Sequence, residues 1–252
     1  MSQTLIEKAN ILRDSGKTNE AIKILKKFLT AKDYEIRINA TISLGICYSN
    51  KGEYDKAIGL YKEAISDCEN NKWLSRIGSI YRDMAIAQKS AKRYNEAEVS
   101  FERSLIMMEK YSDEGQGINA SLGITYVKMG DLYFERKQYT KAEKAYSKGR
   151  KMLRNSHHEY WKLIAEVDYA EFLVAKKEFK KAQELLRKSV YEGIKQEKEY
   201  FIVKSLTLLG DIEKSQKNFD SAKMFYALAK IVVDKIFDSQ EVRERFLKKI
   251  KL

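Results

Sequence analysis

The chain has 252 residues, of which 44% are apolar and 33% are charged, a composition typical of a folded globular protein rather than a disordered one. It has no proline and only 12 glycines, which excludes collagen-like and polyproline segments, disfavours many short strands joined by tight turns, and predicts an almost entirely helical chain. The net charge of +12 lies mainly in residues 127–252, where 29 Lys and Arg stand against 19 Asp and Glu, a balance that favours acidic or nucleic-acid partners.

An internal repeat of about forty residues runs along the chain. Its marker is a series of alanines spaced 36, 40, 45, 40 and 40 residues apart: Ala21, Ala57, Ala97, Ala142, Ala182 and Ala222. An aromatic residue stands three positions before five of these alanines, and a small residue, Ala or Gly, stands twelve positions before all of them. Because aromatic residues are only 11% of the chain, this agreement indicates a structural repeat rather than chance.

Each repeat unit predicts two antiparallel helices, A and then B, which touch where the small residue of A meets the alanine of B. In chain order, the helix pairs are predicted near 2–31, 34–70, 73–111, 118–155, 158–196 and 199–237. A last helix is predicted near 239–251, because Asp238 and Glu241 have the spacing of a capping box. Val242, Phe246 and Ile250 would form the single apolar stripe of that helix.

The motif Leu44-Gly45-x-x-Tyr48, followed by Tyr54-x-x-Ala57-x-x-x-Tyr61, resembles a tetratricopeptide repeat (TPR) almost position for position. The chain departs from that family in lacking the usual proline after helix B and in having a period near 40 rather than 34 residues. The longer period resembles the repeats of bacterial peptide-pheromone receptors, the maltose-regulon activator and kinesin light chains. The resemblance implies an all-α fold, a right-handed α-solenoid of six TPR-like helix pairs over residues 1–237, with residues 238–252 as a C-terminal capping helix of the same domain.

The resemblance also implies that helix A residues line a concave groove that binds a peptide or helix of another protein. The candidate groove residues are Asn10, Asn39, Arg82, Lys89, Asp131, Phe134, Glu135, Asp168, Glu171 and Asp211. Acidic residues recur at one groove position in three successive units, at Asp131, Glu171 and Asp211. They predict either a site for a basic segment or free amine of a partner, or intramolecular pairing with Lys128, Lys204 and Lys214. Both interpretations stay open on the sequence alone.

The basic excess falls mainly on B helices, which the resemblance places on the convex side. The candidate residues of this basic convex face are Lys141, Lys144, Lys148, Lys151, Lys180 and Lys181. Such a face would suit RNA, DNA or acidic lipid, but a solvated surface that keeps a repeat protein soluble has the same composition. No glycine-rich phosphate loop or nucleic-acid-binding motif accompanies it, so a nucleic-acid partner is an alternative that the sequence does not favour.

No arrangement of residues predicts catalysis, because the sequence has no Ser-His-Asp order, no metal-ligand cluster and no nucleotide loop. We therefore expect a protein that is not an enzyme and needs no cofactor or metal. The two-carboxylate clamp by which some TPR modules hold chaperone C-termini is absent, since only Asn10 matches its pattern. Cys47 and Cys68 have no metal or redox spacing, and no segment is long and apolar enough to span a bilayer, so the sequence predicts a cytoplasmic protein.

The function that the sequence favours is a non-enzymatic adaptor or scaffold that holds a partner protein in its groove. A sensor of short signalling peptides, resembling the pheromone receptors, is one alternative. A nucleic-acid-associated factor that uses the basic convex face is another. The identity of the partner cannot be read from a single repeat sequence, because surface specificity is not a property of the fold.

Overall fold

The computed structural model describes residues 2–111 and 116–236. These residues form twelve α-helices, a short 3₁₀ turn over Lys26–Phe28 and no strand. The helices are α1 (Ser2–Asp14), α2 (Thr18–Leu25), α3 (Tyr34–Asn50), α4 (Tyr54–Asn70), α5 (Leu74–Ser90), α6 (Tyr94–Tyr111), α7 (Gln116–Glu135), α8 (Tyr139–Leu153), α9 (Glu159–Ala175), α10 (Phe179–Lys195), α11 (Glu199–Ser215) and α12 (Phe219–Ile236). The expected pairs are all present, whereas the predicted capping helix of residues 238–252 lies outside the described residues.

The helices pack in consecutive pairs, the odd-numbered helix of each pair being A and the even-numbered one B. The chain divides into two compact units, residues 1–143 and residues 144–252. In the first unit, α3 packs against α4 and α5 against α6, and α3 also contacts α1 and α5. In the second unit, α9 packs against α10, α11 packs against α12, and α9 also contacts α11. In the five pairs α1–α2, α3–α4, α5–α6, α9–α10 and α11–α12, the A helix contacts its own B helix and a neighbouring A helix. The predicted all-α, TPR-like helix-pair fold is confirmed.

The repeat residues lie at the helix A–helix B contact. All six marker alanines are buried. Opposite them, the ring of Tyr61 on α4 lies directly over Gly45 of α3, and the ring of Tyr226 on α12 lies over Gly210 of α11. A Cβ atom at Gly45 would be 2.7 Å from Cε1 of Tyr61, so only glycine fits beneath this ring. Helix A needs a small residue at this position because the aromatic ring of helix B, four residues after the marker alanine, lies directly over it.

The A–B turns close without proline by placing one residue in the left-handed region. Gly16 and Gly52 adopt it in the first two pairs, with φ of 85° and 80°. A lysine stands there in the later pairs, as in Lys177 with φ of 62°. The amide of Glu178 then bonds back to the carbonyl of Leu173 at 2.9 Å, the backbone pattern that commonly ends a helix. This hydrogen bond stops helix A where proline is not available.

In two of the helix pairs, the residue directly after the left-handed one is a glutamate that forms ion pairs with two lysines. Glu53 pairs with Lys51 and Lys56, and Glu178 pairs with Lys176 and Lys181, both at 2.8 Å. The hydrogen bonds from the lysines lower the pKa of the Glu178 carboxyl to about 2. The acid therefore stays ionised at the start of helix B, where negative charge is favourable.

We expect the Glu178 carboxyl to titrate near pH 2 in a carbon-detected NMR titration, well below an ordinary glutamate. Its pKa is lower in the folded chain, so its contribution to stability is present above about pH 4.5 and is lost as the pH falls through about 2. The control is Lys181→Gln, which should move the titration upward by replacing a charged hydrogen-bond donor with a neutral one. A Glu178 titration midpoint near pH 4.5 in the unmodified protein would contradict the lysine contacts.

Candidate functional site

The groove residues of the second unit form a cluster that joins α9 to α11. The ammonium of Lys204 lies 2.9 Å from a carboxylate oxygen of Asp168 and 2.9 Å from one of Glu171. Asp168 and Glu171 share a face of α9 because they are three residues apart. Lys204 reaches them from α11, at the repeat position of Ile164, which lies one helical turn before Asp168. The cluster therefore follows from the repeat register.

The cluster carries more negative than positive charge. Burial alone would lower the pKa of Lys204, but the nearby Asp168 and Glu171 outweigh it, and the pKa is raised well above the ordinary lysine value. The ammonium thus stays charged while two carboxylates share it. The side chain of Asp168 is only 12% exposed, whereas that of Glu171 is 43% exposed. Glu171 is the carboxylate of this pair that a cation from outside could also reach.

Asp211 lies on α11 and presents an exposed carboxylate. Its Oδ1 accepts a hydrogen bond of 2.8 Å from the hydroxyl of Tyr226 on α12. Burial and this hydrogen bond raise the pKa of Tyr226 to about 12, so the hydroxyl remains a donor at neutral pH. The partner that the structure shows for Asp211 is thus a hydroxyl of helix B. We call Asp168, Glu171, Lys204 and Asp211 the acidic site.

The other recurring acid, Asp131, belongs to the first unit. Lys128, three residues earlier on α7, donates to its Oδ2 at 3.1 Å. Intramolecular pairing is therefore what the structure shows at Asp131, as it is for Asp168 and Glu171 with Lys204.

The remaining groove candidates of the first unit are engaged mostly within their own helices. Asn10 accepts from Arg13 at 2.9 Å, Arg82 pairs with Asp83 at 3.1 Å, and Phe134 packs against the ring of Tyr139. Two contacts connect different A helices. Arg76 of α5 donates to Asn39 of α3 at 3.4 Å, and Lys89 of α5 forms an ion pair with Glu135 of α7. Lys89 and Glu135 are thus the candidates that the fold brings together here.

The candidates of the basic convex face lie on the exposed sides of α8 and α10. Lys144, Lys148 and Lys151 are exposed and spaced i, i+4, i+7, so they form one stripe along α8. Lys141 approaches Glu98 at 3.5 Å, and Lys180 and Lys181 are exposed at the start of α10. Lys181 is the lysine already bound to Glu178. The stripe on α8 is the most uniform basic surface among the candidates.

The sequence did not predict the ion pairs that join residues of different helices outside the groove positions. Arg37 of α3 forks over Asp67 of α4 with distances of 2.7 Å and 2.8 Å, and Arg150 of α8 forks over Glu166 of α9. No motif marks these residues, because each pair joins long side chains from separate helices. Across residues 2–111 and 116–236, no cluster of three or more His, Cys, Asp or Glu could hold a metal, and no helix is long and apolar enough to cross a membrane.

Comparison with known proteins places this fold among TPR-like repeats. Residues 8–114 match the family model of the suppressor of spindle checkpoint defect 1 C-terminal domain. No curated protein matches the sequence significantly. Among solved structures, BtubC (BKLC) from P. vanneervenii has 13% identity and a TM-score of 0.65, with 90% of this chain and 92% of that one covered.

Two further solved structures extend the comparison. The apo form of RapI has 13% identity and a TM-score of 0.67, with 98% of this chain and 84% of that one covered. A kinesin light chain of Podosopora anserina with nearly identical TPR-like repeats has 17% identity and a TM-score of 0.53, with 78% and 96% covered. At these identities the similarity shows the fold, and it confirms the TPR-like helical repeat.

Proposed function

We propose that this protein is a non-enzymatic adaptor that binds a basic segment of a partner protein through the acidic site on its A helices. The observation that carries the proposal is the sharing of Lys204 by Asp168 and Glu171. Glu171 stays 43% exposed beside this lysine, and Asp211 adds an exposed acid on the same helix as the lysine. The site therefore has a net negative charge held on rigid helices.

The arrangement suits recognition of an extended or helical segment. Helical repeats form long binding surfaces from the same position of successive units. Hydrogen bonds between charged groups are stronger than neutral ones, and fixed partners lose little entropy on binding. Glu171 and Asp211 are the exposed acids, so they are the positions at which a lysine, an arginine or a free amine of the partner would bind.

A peptide-display library screened against the full chain tests the proposal. We expect the selected peptides to be rich in Lys and Arg. The double substitution Glu171→Gln with Asp211→Asn should weaken the best peptide at least about tenfold, because two charge-assisted hydrogen bonds become neutral ones. Isothermal titration calorimetry measures the affinity, and thermal unfolding of the same sample measures stability.

The substitutions are chosen to leave the fold intact. Asn at position 211 can still accept from Tyr226, and Asp168 still pairs with Lys204. Glu184→Gln is the matched control, because Glu184 is an exposed acid on α10 outside the acidic site. Unchanged affinity in the double variant, or selection of peptides without basic residues, would refute the proposal.

The two alternative functions predict different results in the same experiments. A signalling-peptide sensor would bind a short peptide and also change conformation, which small-angle scattering would detect. A nucleic-acid-associated factor would instead bind unrelated RNA or DNA with an affinity that falls steeply as salt rises. The exposed lysine stripe of α8 supports the second alternative, while the acidic site opposes binding of a polyanion on the A helices.

A further inference from the structure

A cavity of about 520 Å³ lies in the second unit, and none of its lining residues belongs to the acidic site. It is formed by α8 and α10, with the N-terminal half of α9 between them. Ser147, Arg150 and Lys151 of α8 line it, together with Arg154 just after the end of that helix. The volume is within the range of ordinary ligand pockets, about 300–1,000 Å³.

Arg150 is fixed at the wall of this cavity. Its Nη2 and Nε bond to the carboxylate of Glu166 at 2.6 Å and 3.1 Å, and its guanidinium stacks 4.3 Å from the ring centre of Tyr169. The ring of Tyr169 packs in turn against Tyr146 and Phe172. Its Nη1 donates to no group in the described parts of the chain, so two donors of an immobilised guanidinium remain available.

The cations around Arg150 exceed the acids that neutralise them. The ammonium of Lys162 lies 2.8 Å from a carboxylate oxygen of Glu159, so these two opposite charges neutralise each other. Lys151, Arg154 and Lys188 also line the cavity, and none of the three forms an ion pair within residues 2–111 and 116–236. Glu192 is the only acid left on the wall, and it accepts a long hydrogen bond from Gln196. The cavity thus offers a surplus of positive charge.

The wall is not purely polar. Leu153, Leu163 and Leu185 line it beside the cations. Carboxylates held among apolar side chains match such a lining. The phosphate backbone of a nucleic acid does not match it, because that backbone carries no apolar side chains to pack against Leu153, Leu163 and Leu185.

We propose that this cavity is a second binding site, which takes an acidic segment of a partner protein whose Asp or Glu side chains bind Arg150, Arg154 and Lys188. Leucine-sized side chains beside those acids would fill the apolar part of the wall. This second site is independent of the acidic site. It uses another face of α9, and its other walls come from α8 and α10 rather than from α11. Two opposite charges on opposite surfaces would let the protein join a basic partner segment to an acidic one.

Fluorescence anisotropy with a labelled peptide of repeated Leu-Glu-Glu units, at about 150 mM NaCl to screen weak long-range attraction, tests the site in the full chain. We expect binding that is lost when Gln replaces Glu in the peptide. The substitutions Arg154→Glu and Lys188→Glu together should weaken it at least about tenfold, since they reverse two charges at the cavity. Ser147→Trp should weaken it similarly by filling the cavity, without changing charge.

The matched control is Lys144→Glu with Lys180→Glu, which makes the same change of charge on the same two helices outside the cavity. This control should keep the affinity within about twofold, since neither lysine lines the cavity and salt weakens interactions between exposed charges. Equal loss in the control, absence of peptide binding, or displacement of the peptide by poly(U) RNA would overturn the proposal. The acidic-site variant Glu171→Gln with Asp211→Asn should bind the Leu-Glu-Glu peptide normally, so failure of either site can be recognised separately.

Discussion

Replacing Lys204 by Met should lower the free energy of unfolding by about 3–5 kcal/mol, the cost of removing one partner from a buried ion pair. The ammonium is only 18% exposed and holds both Asp168 and Glu171. Without it, the buried Asp168 carboxylate would lose this cation and face the carboxylate of Glu171. Chemical denaturation at pH 7 measures the loss.

The dependence of this loss on pH identifies its electrostatic origin. In the Met variant, the mutual repulsion of Asp168 and Glu171 raises their pKa values above those of the unfolded chain. The folded state then binds more protons than the unfolded state, so the variant should regain stability as the pH falls toward 4 to 5, near the ordinary carboxyl range. In the unmodified protein, the raised pKa of Lys204 contributes stability below the ordinary lysine value of 10.5 that is lost only at higher pH.

Lys214→Met is the control, because Lys214 is an exposed lysine on the same helix without an ion pair in the described residues. It should change the free energy of unfolding by no more than about 0.5 kcal/mol. If Lys204→Met proved equally mild, or if its loss did not shrink in acid, the cluster would not be the source of the stability assigned to it.

Gly45→Ala should be the second most damaging single change, lowering the free energy of unfolding by about 1–3 kcal/mol through overpacking. The new methyl group would lie 2.7 Å from Cε1 and 3.0 Å from Cζ of Tyr61. That ring is only 1% exposed and is enclosed by its own cluster, which includes Ala57, Ile65 and Ile77. It cannot move aside without disturbing the contacts between α3, α4 and α5.

The matched control is Gly59→Ala in the partner helix α4. No atom lies within 4 Å of a Cβ placed at Gly59, and the residue sits inside a helix. The alanine should therefore raise stability by about 0.5–1 kcal/mol through helix propensity alone. Thermal and chemical unfolding of the two variants separate the effects. Stabilisation by both changes would mean that the Tyr61 ring does not press on Gly45.

Much of the architecture could be predicted because close packing of helices acts on particular positions. Helix A can approach helix B only where a small side chain faces a large one, so Gly45 with Tyr61 and Gly210 with Tyr226 recur at the same spacing. The marker alanines are buried for the same reason. The bounds of α3 and α4 agree with the predicted pair 34–70. The candidate groove residues could be named in advance only through the register of these repeats.

The conformation of the turns and the partners of the charged residues could not be predicted in the same way. Nothing in the sequence shows that Lys177 adopts the left-handed conformation that glycine takes at Gly52, because the preference of a lysine for that region is weak and the surrounding hydrogen bonds impose it. The hydrogen bond from Tyr226 to Asp211 could not be predicted either, because the hydroxyl comes from the next helix, 15 residues along the chain.

The sequence by itself determined the repeat, the helix pairs and the small-against-large contact within each pair, because these depend on side-chain size at fixed intervals along one helix and the next. Only the tertiary structure decided which charges meet. Lys204 is 36 residues from Asp168, and Arg150 is 16 residues from Glu166. The distance between neighbouring helices and the degree of burial determine which long charged side chains pair. The surplus of negative charge on the A helices and the surplus of positive charge in the cavity therefore arise only when the helix pairs stack.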